Sequence, residues 1–121
     1  MPESLLPRWE SLSANIRRTL SVLTRTLWRV LVITRYRVQD VEGFRDRVDA
    51  ALAVFQAKPG FLAADLERNL DDEDLWVLVT RWRDVGSYRR ALQGYESKMV
   101  VVPLLSEALD EPSAYEDPAL Q

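Results

Sequence analysis

The chain has 121 residues, 16 of them basic and 19 acidic, for a net charge of -3. That length supports one domain, since two would each be too small to hold a good core, and a mildly acidic chain has no general pull toward nucleic acid. It contains no cysteine and no histidine, which excludes disulfides, thiolate metal sites, a cysteine nucleophile, a Ser-His-Asp triad and the usual haem ligand.

Residues 1–28 read as an arm set apart from the rest. Arg8, Arg17, Arg18 and Arg25 outnumber Glu3 and Glu10 there. Leu5, Trp9, Leu12, Ile16, Leu20, Leu23 and Leu27 recur at steps of three or four, which predicts an amphipathic helix over residues 5–26. Such a helix packs on its own domain or on a second copy, and a basic one also suits a membrane surface. A membrane span needs roughly 20 apolar residues. The longest near-continuous apolar run, Met99 to Leu105, is far shorter and contains Pro103. Polar residues interrupt the N-terminus every few positions, so no signal-peptide core is present. Together with the lack of cysteine, this points to a cytoplasmic protein.

Residues 28–38, Trp-Arg-Val-Leu-Val-Ile-Thr-Arg-Tyr-Arg-Val, are β-branched and aromatic without Gly or Pro and read as a long strand. Asp40 is placed to cap a helix with an apolar stripe of Val41, Phe44, Val48, Ala51, Leu52 and Phe55, ended by Lys58-Pro59-Gly60. Phe61 to Asn69 is a second strand. Asp71-Asp72-Glu73-Asp74 lacks the spacing and the glycine of a calcium loop and reads as a solvated hairpin turn. Leu75 to Trp82 is a third strand. Asp84 caps a second helix with Val85, Tyr88, Leu92 and Tyr95 on one stripe. In Met99 to Leu109, Pro103 disfavours a strand, and Met99, Val102, Leu105 and Leu109 suit a helix. Pro112 to Glu116 is a short last strand, followed by a loose tail over residues 117–121.

Strands alternating with helices around one hairpin predict an α+β, ferredoxin-like split βαβ fold with an antiparallel sheet over residues 29–116. Two helices cover one sheet face. The first and third strands are apolar on both faces, Leu31 and Ile33 against Val32, and Leu75, Val77 and Val79 against Trp76 and Leu78, and an apolar bare face needs a partner. The economical partner is a second copy, giving a homodimer with sheets face to face.

The strand 30–36 (Val-Leu-Val-Ile-Thr-Arg-Tyr), the helix end Lys58-Pro59-Gly60-Phe61-Leu62 and the segment 76–84 (Trp-Val-Leu-Val-Thr-Arg-Trp-Arg-Asp) resemble the antibiotic biosynthesis monooxygenase family. The resemblance covers residues 29–116 and implies a dimeric α+β barrel. It also implies a cofactor-independent monooxygenase, with no metal, acting on an aromatic or lipophilic small molecule. A phenol or anthrone that loses a proton reduces dioxygen directly, and the protein need only bind the rings, exclude water and stabilise the anion. A haem-degrading branch of the family uses Asn, Trp and His at positions that resemble Thr34, Ala91 or Leu92, and Lys98. All three differ here, so the resemblance argues against haem degradation.

The resemblance places the family pocket on the Thr34 face of the sheet, beneath the helices. It is then lined by Thr34, Tyr36, Phe55, Trp82, Tyr88, Leu92, Tyr95 and Met99. Tyr36, Tyr88 and Tyr95 are the catalytic candidates, because a buried tyrosine hydroxyl wants a partner. Asp65 and Glu67 share a face with Arg35 and Arg81, where ion pairs are the plain reading. Lys98 would act as a base only if desolvated. The residues leave a second function open, a non-catalytic dimeric ligand-binding or interaction protein that uses the N-terminal helix.

Overall fold

The computed structural model describes residues 28–120, and the helix expected over residues 5–26 lies outside them. β1 spans Val30–Arg37 and alternates strictly: Val30, Val32, Thr34 and Tyr36 are buried, while Leu31, Ile33 and Arg35 are half-exposed. α1, Val41–Gln56, begins where the Asp40 carboxylate accepts from the Gly43 N–H at 3.1 Å. Its buried stripe is Phe44, Val48, Ala51 and Phe55, a helical spacing that lays one face on the sheet.

Gly60 turns the chain from α1 into β2, Phe61–Arg68, at a φ of 90° that favours glycine. β3 spans Leu75–Trp82 and repeats the alternation, with Trp76, Leu78, Thr80 and Trp82 buried. The sheet order is β2-β3-β1-β4, with every neighbouring pair antiparallel, where β4 is the short strand Ala114–Glu116. This is the expected α+β ferredoxin-like arrangement. The core lies between the sheet and the helices. Tyr36, Phe44 and Trp76 form one aromatic cluster, and Phe55, Phe61, Trp82 and Tyr88 another.

The second half departs from the pattern read in the sequence. α2 covers only Val85–Ala91. Gly94, at a φ of 96°, breaks the path before Tyr95 can join the same stripe. A π-helical turn, Ser97–Val101, then runs into α3, Val102–Ser106. The wider turn shifts the phase of the helix, so Val101 and Leu104 face the core while Met99 and Val102 face out. Pro103 sits in the first turn of α3, where the missing N–H is not needed. After β4 the chain makes a 3₁₀ turn, Pro118–Leu120. Among the described residues no helix is long and apolar enough to cross a membrane.

Candidate functional site

β4 pairs with β1 only from Val30 to Val32. Beyond that, the Ile33 N–H donates to the Ser113 carbonyl at 2.7 Å, and the Leu109 N–H donates to the Arg35 carbonyl at 2.8 Å. The chain from the end of α3 to β4 is therefore laid along the edge of β1 as a strap. Two ion pairs hold it. Arg47 of α1 meets Glu107 through two hydrogen bonds of 3.1 and 2.9 Å, and Arg35 meets Glu111 through two of 2.8 and 2.7 Å. Such fork-shaped pairs fix orientation as well as charge.

Between strap, sheet edge and helices lies a cavity of about 360 Å³. Its floor is Ile33 and Thr34 of β1, and Tyr88 of α2 forms one side. Leu105 and Ser106 close it from α3, and Ala108 to Glu111 with Ser113 close it from the strap. The volume falls within the roughly 300–1,000 Å³ of small-molecule sites, and the lining mixes the apolar Ile33, Leu105, Ala108 and Leu109 with polar side chains.

Thr34 is buried and donates to the Leu78 carbonyl across the sheet at 3.5 Å, a long bond. The Tyr88 ring lies 5.5 Å from that of Trp82, and burial raises its hydroxyl pKa above the ordinary tyrosine value. At neutral pH it is an O–H donor. Arg35 draws Glu111 below the usual carboxylate range, first by the hydrogen bond and then by charge, so Glu111 is ionised at the cavity.

Of the eight lining residues expected from the sequence, the structure brings Thr34 and Tyr88 to this cavity. Phe55 and Trp82 are core packing. The Trp82 indole N–H donates to Thr80 Oγ1 at 2.9 Å. Tyr36 is 1% exposed, in the core against Phe44, and its hydroxyl has no hydrogen-bond partner. Leu92 packs half-buried on the core. Tyr95 and Met99, 78% and 58% exposed, stand away from the cavity because of the break at Gly94 and the π-helical turn. Asp65 forms an ion pair with Arg81 at 2.8 Å, whereas Arg35 turns to Glu111 rather than to Asp65 or Glu67. Asp110, Glu111 and the serines of the strap were not singled out in the sequence. The only signal there was a pair of adjacent acids in a polar connection, which resembles any solvated loop. Among the described residues no three acidic side chains group as metal ligands.

A family model described as antibiotic biosynthesis monooxygenase matches residues 29–101. The chain belongs to that family. The match takes in β1, Thr34 and Tyr88, and it ends within the π-helical turn, before the strap. No curated protein matches this family member in sequence. Solved structures share its fold. SnoaB, a cofactor-independent oxygenase from Streptomyces nogalater, is 23% identical with a TM-score of 0.65, covering 74% of this chain and 93% of that one. A conserved protein from Methanosarcina mazei Go1 is 19% identical with a TM-score of 0.63, covering 78% and 98%. Rv0793 from Mycobacterium tuberculosis is 20% identical with a TM-score of 0.57, covering 73% and 93%.

Proposed function

We propose that this family member is an oxygenase working without flavin or metal on an aromatic compound held in the cavity behind the strap. The observation that carries the reading is the position of Thr34 and Tyr88, the two polar lining groups of the cavity that fall within the segment matching the monooxygenase family. The likeness to SnoaB supports the cofactor-independent form of the chemistry.

An anthrone that gives up a ring proton becomes an electron-rich anion able to reduce dioxygen. The ring CH₂ ends as C=O with one oxygen atom, and the other oxygen leaves as water with the two hydrogens. The chain's contribution is to hold the rings, exclude water and steady the developing oxyanion. Tyr88 supplies an O–H donor for that oxyanion. Leu105 and Leu109 supply apolar walls. The same proposal takes the protein as a cytoplasmic homodimer. The half-exposed apolar side chains of β1 and β3 on the open sheet face, Leu31, Ile33, Val77 and Val79, support a face-to-face pairing of two copies.

Oxygen uptake by the purified full chain, with no added cofactor and a panel of anthrones and hydroquinones, tests this reading. Uptake should exceed the uncatalysed rate and fall roughly tenfold or more in Tyr88→Phe, the cost of losing one oxyanion donor. Uptake no faster than buffer across the panel, or undiminished in Tyr88→Phe, counts against it.

A further inference from the structure

We propose that the cavity selects by charge: it takes ring compounds that are uncharged or carry a basic amine, and turns away carboxylates and phosphates. This rests on the reading of the cavity as the small-molecule site. Asp110 and Glu111 both border the cavity, and among the described residues no lysine or arginine does. The two guanidinium groups that hold the strap are already engaged. Arg35 spends both arms of its fork on Glu111, and Arg47 spends both of its own on Glu107. Glu107 and Glu111 are thereby neutralised as pairs. Asp110, between them in sequence, has no hydrogen bond or ion pair among the described residues, so no described cation offsets its charge at the cavity.

The remaining polar groups of the lining, Thr34, Tyr88, Ser106 and Ser113, are hydroxyls. They hydrogen-bond neutral groups, and Tyr88 can donate to an oxyanion formed in place, but they supply no positive charge to a ligand that arrives as an anion. A ligand carboxylate here would lose water and gain repulsion. A ligand ammonium would find Asp110 without having to displace an existing partner. Asp110 is exposed, so the discrimination is moderate, roughly tenfold between opposite charges on one scaffold, and is weakened by salt.

The test is an NMR titration of the isotope-labelled full chain at low ionic strength. The matched probes are naphthol, naphthylmethylamine and naphthoate, followed at the amides of Thr34, Asp110 and Ser113. The amine should bind roughly tenfold more tightly than the carboxylate. The gap should close in Asp110→Asn and narrow at about 0.5 M salt, while naphthol binds both variants alike. Equal binding of amine and carboxylate overturns the proposal, as does a gap that survives Asp110→Asn in a variant whose other resonances are unmoved. Naphthol binding without charge preference overturns this inference alone. If none of the three probes shifts these amides, the small-molecule reading of the cavity falls with it.

Discussion

Arg35 on β1 and Glu111 in the strap are 76 residues apart in the chain and are joined by two hydrogen bonds of 2.8 and 2.7 Å. The backbone carbonyl of the same Arg35 accepts from the Leu109 N–H. One residue of β1 thus anchors the strap through its side chain and its main chain. The wall of the cavity depends on that anchor, because β4 stops pairing with β1 at Val32.

The anchor is sensitive to acid. The Arg35 hydrogen bond, helped by its charge, holds Glu111 below the ordinary glutamate value of 4.5. A carboxyl depressed in the folded state stabilises above its unfolded pKa, and that contribution is lost as pH falls through the folded value. The strap should therefore loosen below the ordinary glutamate range, with faster exchange of the Leu109 amide. In Arg35→Ala the Glu111 titration should move up toward 4.5. An NMR titration of the side-chain carboxyl carbons reads this directly, and a midpoint left in place by Arg35→Ala contradicts the account.

Tyr36 behaves in the opposite sense. Burial pushes its hydroxyl up to about 12 from an ordinary 10.0; the nearby Thr34 hydroxyl offsets part of the rise without reaching hydrogen-bond geometry. Below pH 10 the neutral phenol is at home in both states. As pH climbs from 10 toward 12, the unfolded chain loses the proton first and folding weakens. Tyr36→Phe should remove this alkaline loss. Because it deletes a buried hydroxyl with no partner, it should also stabilise the neutral protein by about 1 kcal/mol. Denaturant melts at neutral and alkaline pH check both effects, and oxygen uptake should be unchanged. A variant less stable than the parent at neutral pH speaks against the packing described here.

Thr80→Val isolates one buried hydrogen bond. It keeps the shape of the side chain but takes the acceptor away from the Trp82 indole N–H, 2.9 Å distant. Trp82 is 0% exposed, so no water replaces the partner. The expected loss is about 1–3 kcal/mol, visible as a lower urea midpoint at unchanged slope. A neutral result would mean that water reaches the indole.

Gly60→Ala tests the turn into β2. The backbone there has a φ of 90°, and a Cβ would overlap the Ser87 Oγ and Cβ at the start of α2. Left-handed backbone alone costs a non-glycine residue roughly 1–2 kcal/mol, and the overlap adds to it. The variant should melt well below the parent by calorimetry. An equal melting temperature would show that α2 gives way freely.

Much of this fold is legible from neighbours along the chain. The period-two alternation in β1 and β3 groups Thr34 with Tyr36 and Trp82 with Trp76, and the family resemblance implies that theirs is the covered face. Asp40 and Asp84 mark the starts of α1 and α2, both accepting backbone N–H bonds. What is not legible depends on partners remote in sequence. The strap residues Glu107 and Glu111 owe their positions to Arg47 and Arg35, separated from them by 60 and 76 residues. The exposure of Tyr95 and Met99 follows from a break at Gly94 and a π-helical turn. Gly94 marks a place where the helix can end, but a helix drawn at 3.6 residues per turn cannot anticipate the π-helical turn. Thr34 and Tyr88 stand at the cavity because each lies where both kinds of information agree.

The most direct test of the account fills the cavity. Ala108 lines it from the strap, is half-buried and makes no side-chain hydrogen bond, so Ala108→Trp places an indole where a ligand ring would sit. Oxygen uptake on any substrate that the parent turns over should disappear, with the circular dichroism spectrum and melting temperature close to the parent's. Uptake that persists at the parental rate in a folded Ala108→Trp protein would contradict the claim that the chemistry takes place behind the strap.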